Sequence, residues 1–304
     1  MKSDIQILQE LAKQTNTLHE LSEAESKQLK AVLLEMYKDV AALCKQHHLT
    51  MMLCGGSALG TIRHQGFIPW DDDLDILMPR PDYERLIALL EQGALGENYE
   101  YNTPNPKTDC KNVWLKIYRK DTESIDIYTP QDAPFPKGIY LDVFALDGVP
   151  SSRLGQRIKG LIANGLQFCS ILTLYAQYPN EPIRQMMSAD KQALRRYKLK
   201  VALGSILKII PHRRWVWWFD QWVKDENMTG KIGIPTGREY YCGEIFDHDV
   251  YLPPTLATFE GEQVYIPCQF DAYLKNLYHN YMQLPPVEKR ERHMICKLQF
   301  YKEK

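Results

Sequence analysis

From about Ala24 to His47, apolar residues recur at helical spacing: Leu29, Val32, Leu33, Met36, Tyr37, Val40, Leu43 and Cys44 mark one face. The pattern then shortens. Leu49 to Cys54 is an apolar run that ends at Gly55-Gly56-Ser57, which predicts a buried strand entering a tight turn. Ser57 to His64 suits a short helix stopped at Gly66. Leu74 to Met78 predicts an extended segment closed by Pro79 and Pro81, and Asp82 to Leu90 a helix. Asn112 to Thr129 reads as two strands around a polar turn at Lys120 to Glu123, and Ile139 to Phe144 as a further strand entered through Gly138. The order predicts a mixed α/β (α+β) fold in which a mixed sheet is flanked by helices.

Past Pro150-Ser151-Ser152 the chain changes character. Between Ser151 and Trp217 there are twelve Lys or Arg against two acidic residues, Glu181 and Asp190, although the whole chain has a formal charge of -1. The block is helical in pattern and ends in aromatic residues: Trp215, Trp217, Trp218 and Phe219. From Arg238 onward Tyr, Gly, Asp and Pro return, and Asp271 to Met282 predicts a last amphipathic helix stopped at Leu284-Pro285-Pro286. The expected organisation is a core with an N-terminal helix over 1–150, a basic helical insertion over 151–237, and a segment over 238–304 that packs back on the core. The basic block has two readings. Its helices are either solvated or in contact with the acidic core, or they form a dock for an anionic lipid or polymer carrier. No groove-reading or single-strand-binding motif accompanies the charge, so nucleic acid is not an expected partner.

A length of 304 residues allows one large domain or two modest ones. The seven cysteines are irregularly spaced and form no CxxC pair, which argues against a zinc or dithiol site and suits free thiols in a reducing compartment. Met1 to Gln14 is polar and lacks the apolar run of a signal peptide. Leu161 to Ala176, the longest apolar-rich stretch, is interrupted by Asn164, Gly165 and Gln167. The expected location is cytoplasmic, with peripheral contact at the inner face of the cell membrane.

The chemistry concentrates at Trp70-Asp71-Asp72-Asp73-Leu74-Asp75-Ile76. Alternate residues of a strand share a face, so Asp71, Asp73 and Asp75 would lie together with Leu74 and Ile76 behind them. Hard carboxylate oxygens on one edge suit Mg²⁺ or Mn²⁺; a solvated acidic turn or a helix start is the alternative. Upstream, Gly55-Gly56-Ser57 allows close backbone approach and offers N–H groups at a helix start to a phosphate. Leu141-Asp142-Val143 adds one acid inside the apolar run Ile139 to Phe144, where a charge needs either a metal or an ion pair. The expected metal ligands are therefore Asp71, Asp73, Asp75 and Asp142. Catalysis would rest on Asp73, Asp75 and Asp142, and donor phosphates on Gly55, Gly56, Ser57, Arg63 and Lys116. Asp147, at a strand end, is the weaker acid candidate. Arg119 lies on the same predicted strand as Lys116. His64 and Trp70 suit packing, and His293 has no assignable role.

Gly55-Gly56-Ser57, Asp73-Leu74-Asp75 and Leu141-Asp142-Val143 resemble the three elements of the nucleotidyltransferase superfamily. The longer run from Gly55 through Arg63 and Trp70 to Ile76 resembles the LicD family, as do Tyr273 to Tyr278 and Leu284 to Arg290. The likeness spans about 25–150 and 240–295 and leaves out the basic block. It implies a nucleotidyltransferase-like core and a metal-dependent transfer of phosphocholine or a similar phospho-alcohol. The implied donor is a CDP-alcohol, the leaving group CMP, and the acceptor a hydroxyl of a cell-surface glycan such as teichoic acid or lipopolysaccharide, or its lipid-linked precursor. Two alternatives stay open: a nucleotidyltransferase releasing pyrophosphate, and an inactive glycan- or nucleotide-binding module of the same fold.

Overall fold

A computed structural model describes residues 18–287, 290 and 292–301. The polar stretch Met1 to Gln14, and Glu288 and Lys289 of the Leu284 to Arg290 run, lie outside the described residues. The chain opens with α1 (Glu23–Gln46), which is capped by Ser22 and Glu25 in a reciprocal capping box and buries all eight apolar positions of the predicted face. Then follow β1 (Met52–Leu53), α2 (Gly55–His64), β2 (Asp75–Pro79), α3 (Arg80–Glu91), β3 (Tyr99–Asn102), β4 (Leu115–Arg119), β5 (Glu123–Asp126) and β6 (Ile139–Gly148). The basic block forms α4 (Arg153–Gln177), α5 (Glu181–Ser188), α6 (Lys191–Leu207) and α7 (His212–Val223). The chain continues through β7 (Lys231–Gly233), β8 (Ile245–Asp247), α8 (His248–Tyr251), β9 (Thr255–Phe259), β10 (Glu262–Ile266), α9 (Phe270–Tyr278) and β11 (Ile295–Gln299).

The fold is the expected mixed α/β type with a helical insertion. The main sheet runs β1-β2-β6-β4-β3, with β7 added to the far end of β6 and β8 to β7. Only β2 and β6 run parallel; β1–β2, β4–β6 and β3–β4 are antiparallel. The central strands are buried on both faces, with Leu74, Ile76, Leu77, Met78, Leu115, Ile117, Leu141 and Val143 fully enclosed.

Several elements differ from their sequence patterns. The apolar run before Gly55 yields a strand of two residues, because Gly55 already starts the helix. Strand β6 continues to Gly148, where β7 pairs with it. The two predicted strands around Lys120 to Glu123 both form, but they part company: β4 stays in the main sheet while β5 pairs with β11. The last helix ends at Tyr278, not near Met282, because His279 turns to positive φ. The strand carrying the acids begins only at Asp75, so Asp71 and Asp73 sit in the loop before it.

The helical layer is tied to the core by a buried charge network. Arg80, at the start of α3, binds Asp147 of β6 through two bonds of 2.7 Å and Asp220 of α7 at 2.8 Å. Asp147 is thus a structural counter-ion, and burying it is tolerable because the guanidinium satisfies both its oxygens. His212 adds a second tie, its Nε2 lying 2.9 Å from the Cys110 carbonyl. Val216, Phe219 and Val223 of α7 pack with Cys110 and Val113 in a separate apolar cluster. Removing Asp147 leaves Nε and Nη2 of the buried guanidinium without acceptors, with Asp220 and Glu84 holding only Nη1. Asp147→Ala should therefore lower unfolding free energy by about 3 kcal/mol, read by urea denaturation. A loss below about 1 kcal/mol would mean that Asp220 suffices as counter-ion.

Candidate active site

Sheet register builds the centre of the site. The parallel β2–β6 pairing sets Asp75 opposite Asp142, and the antiparallel β4–β6 pairing sets Lys116 opposite Asp142. One row of charges, Asp75-Asp142-Lys116, therefore crosses three adjacent strands. Lys116 Nζ lies 2.9 Å from Asp142 Oδ1 and 3.4 Å from the centre of the Tyr140 ring. Trp114 Nε1 donates to Asp142 Oδ1 at 2.6 Å. Of the two arrangements open to an acid within an apolar strand, a metal or an ion pair, Asp142 has the ion pair with Lys116, and its expected place among the metal ligands stays a proposal. Arg119 goes elsewhere, binding Glu35 and Asp121 at 2.9 Å each. Three positions separate it from Lys116, and on a strand that spacing places the two on opposite faces.

The turn before α2 closes over this row. Gly55 has φ +50°, and a Cβ there would stand 3.0 Å from Asp75 Oδ2. A Cβ on Gly56 would stand 2.9 Å from Asp71 Oδ2. The two glycines therefore let the start of the helix meet two carboxylates, whose charge the helix dipole favours at that end. Ser57 Oγ accepts from the Asp75 N–H at 2.9 Å, which fixes the first residue of β2. The Gly55 N–H donates to the Tyr273 hydroxyl at 3.0 Å, which ties the turn to α9. Arg63 Nη1 donates to the Tyr281 carbonyl at 2.8 Å, so one arm of the predicted phosphate clamp secures the chain after α9.

The loop carrying Asp71 to Leu74 is held from both sides. Lys30 of α1 donates to the carbonyls of Ile68 at 3.1 Å and Pro69 at 2.9 Å, and Glu260 accepts the Phe67 N–H at 2.9 Å. Trp70 stands under two cations, Arg290 at 4.2 Å and Arg63 at 5.9 Å from its ring centre. His293 reaches in from the segment before β11. Its Nδ1 lies 2.8 Å from Asp72 Oδ1 and 3.7 Å from Asp73 Oδ2. Burial alone would lower its pKa, but Asp73 and Asp72 outweigh that and hold it protonated, at about 10.

Asp71 and Asp75 lack such compensation, and Asp73 has it only in part. Burial, followed by the like charges of Asp73 and Asp72, pushes the Asp71 carboxyl well above the usual range. Burial and then Asp73 and Asp142 do the same to Asp75. Burial raises Asp73 too, with His293 opposing it. Among the described residues neither Asp71 nor Asp75 has an ion-pair partner. Ligand-type atoms of Asp72, Asp73 and His293 lie within 4.8 Å of one another, although a protonated imidazole cannot ligate. Carboxylate oxygens are the donor set of a hard divalent cation, so the uncompensated Asp71 and Asp75, with the partly compensated Asp73 between them, fit Mg²⁺ or Mn²⁺.

Of the expected residues, Gly55, Gly56, Ser57, Asp71, Asp73, Asp75, Asp142 and Lys116 meet in one recess. Trp114 was not among the expected residues; its place two positions before Lys116, on the same strand face, is the signal that could have found it. His293, Tyr273 and Arg290 arrive through long-range packing that no local pattern displays. Residues 48–142 match the family described as LicD/FKTN/FKRP, nucleotidyltransferase domain. Lipopolysaccharide cholinephosphotransferase LicD of Haemophilus influenzae is 26% identical over 266 residues, spanning 84% of this chain and 90% of that protein. Uncharacterized protein RP689 of Rickettsia prowazekii is 33% identical over 91 residues, 28% of this chain and 32% of that protein.

A carboxyl raised in the folded state binds protons more tightly there than when unfolded. Its stabilising contribution is complete below the ordinary Asp pKa and is lost as pH rises through the raised value. The metal-free protein should therefore lose stability as pH climbs from about 4. At neutral pH in EDTA, Asp75→Asn should melt above the native chain, and Mg²⁺ should raise the melting temperature of the native chain only. A variant that melts lower at every pH would contradict the assigned strain.

Proposed function

The chain is LicD-like over residues 48–142, and from that premise we propose that it is a phosphotransferase that moves a phospho-alcohol group, phosphocholine foremost, from a CDP-activated donor to a hydroxyl of a cell-surface glycan or its lipid-linked precursor. The observation that carries this reading is the recess itself: uncompensated carboxylates Asp71 and Asp75 beside a helix start whose glycines admit close approach. Support also comes from the relative whose name assigns it choline phosphate transfer to lipopolysaccharide, since its likeness runs through most of both chains.

Phosphoryl transfer needs alignment and charge neutralisation more than covalent help. Asp71, Asp73 and Asp75 would hold the divalent cation, which when bound neutralises phosphate charge. The Gly55-Gly56-Ser57 turn would receive the donor's phosphates at the positive end of α2. Lys116, fixed beside Asp142, keeps a positive charge at the floor of the recess, where negative charge develops on the departing phosphate. Asp142 would accept the proton of the attacking hydroxyl, and Trp114 and Lys116 hold its carboxylate in place for that step. His293 orients Asp72 through its ring and backbone N–H and sets its ring charge 3.7 Å from Asp73.

Incubation with CDP-choline, CDP-ribitol, CDP-glycerol, CTP and ATP, each with Mg²⁺ and a glycan acceptor, tests the proposal. CMP release with one CDP-alcohol is expected. Pyrophosphate from CTP or ATP, with every CDP-alcohol inert, would replace it with nucleotidyl transfer. Asp73→Ala and Asp142→Asn should each lower kcat by roughly a thousandfold or more, in line with loss of a principal charge-stabilising group. Asn suits Asp142 better than Ala because its amide oxygen keeps the side-chain shape and an acceptor for Trp114 and Lys116, while the charge is removed.

A further inference from the structure

Two helices of the helical layer, α4 and α6, carry apolar rows on their outer faces. In α4 the buried positions are Gly160, Ala163, Ser170, Leu172 and Thr173, of which all but Leu172 are small or hydroxylic. Leu154, Ile158, Leu161 and Phe168, at helical spacing, face solvent, with Leu161 76% exposed. Helix α6 repeats the pattern. It buries Ala193, Tyr197 and Gly204 but exposes Leu199, Leu203 and Ile206, and Ile209 follows at 87% exposure. The two helices lie against each other, since a Cβ on Gly204 would fall 2.0 Å from the Leu172 carbonyl oxygen. Trp218 and Trp222 of α7 are partly exposed, and Trp222 Nε1 binds the Lys159 carbonyl of α4. Single exposed apolar residues are ordinary, but rows at helical spacing on adjacent helices mark an interaction surface.

Charge identifies the occupant. Neither α4 nor α6 contains an acidic residue. Exposed Arg153, Arg157, Arg195, Lys198 and Lys208 accompany the apolar rows. A second copy docked on the same patch would place these cations against one another, which disfavours self-association. No helix among the described residues is long and apolar enough to cross a membrane. An apolar row with basic neighbours and interfacial tryptophans suits the plane of an anionic bilayer, with apolar side chains at the acyl boundary and cations among the headgroups. We propose that the outer face of α4 and α6, with Trp218 and Trp222, seats this protein on an anionic lipid surface. The inference stands apart from the phosphotransfer reading: a chain inactive on every donor would still bind lipid.

Co-sedimentation of the full chain with phosphatidylcholine vesicles, with and without phosphatidylglycerol, provides the test. Uptake should require phosphatidylglycerol and should weaken as salt rises. Leu161→Glu with Phe168→Glu, both at exposed positions, should reduce uptake by roughly tenfold or more while leaving the melting temperature unchanged. Charge reversal at Arg157 and Arg195 should reduce uptake as well. Equal uptake by neutral and anionic vesicles, uptake by neither, or uptake untouched by the double variant would overturn the proposal. So would a dimer in sedimentation velocity that the double variant converts to monomer, because the patch would then be a contact between copies.

Discussion

Mutual repulsion among Asp71, Asp73, Asp75 and Asp142 is the constraint around which the rest of the structure is arranged. Ordinary folding would separate these groups, since each is pushed away from its charged form or must be bound to a cation of the chain. The fold keeps them together by rigid means. Parallel pairing locks Asp75 beside Asp142, Ser57 fixes the first residue of β2, and Lys30 with Glu260 clamps the preceding loop. The extensive core under the sheet supplies the stability that such a recess gives up.

Much of this was legible in residue patterns. The face of α1, the turn at Gly55, the acid inside β6 and the run of acids before Ile76 all display local periodicity or local conflict, and those survive without tertiary information. Element ends were less legible, because they are set by partners. β6 extends since β7 joins it, and β5 leaves its neighbour since β11 competes for it. The acids read as a strand because alternation was assumed to begin at Asp71, whereas a turn at Ile68 to Asp71 delays the strand to Asp75. Lys116 and Arg119 looked equivalent until strand parity sent one into the recess and the other to Glu35. His293 had no local signature at all: it is placed by the pairing of β11 with β5.

The helical layer and the acidic cluster meet the same strand at different positions. Asp142 near the start of β6 serves the recess, while Asp147 near its end anchors α7 through Arg80. Five positions of one strand thus join the chemistry to the attachment of a surface-seeking layer. A rigid strand between them means that the orientation of α7 and the placement of Asp142 are not independent.

The contact between His293 and Asp72 joins residues 221 positions apart. Chain synthesis runs from the N-terminus, so Asp72 and Asp73 emerge long before the imidazolium that pairs with them exists. Closing so long a loop is slow and is rewarded only at its end. A nascent chain halted after α9 would already hold every strand of the main sheet, yet its acidic loop would still lack the brace that arrives with the segment before β11.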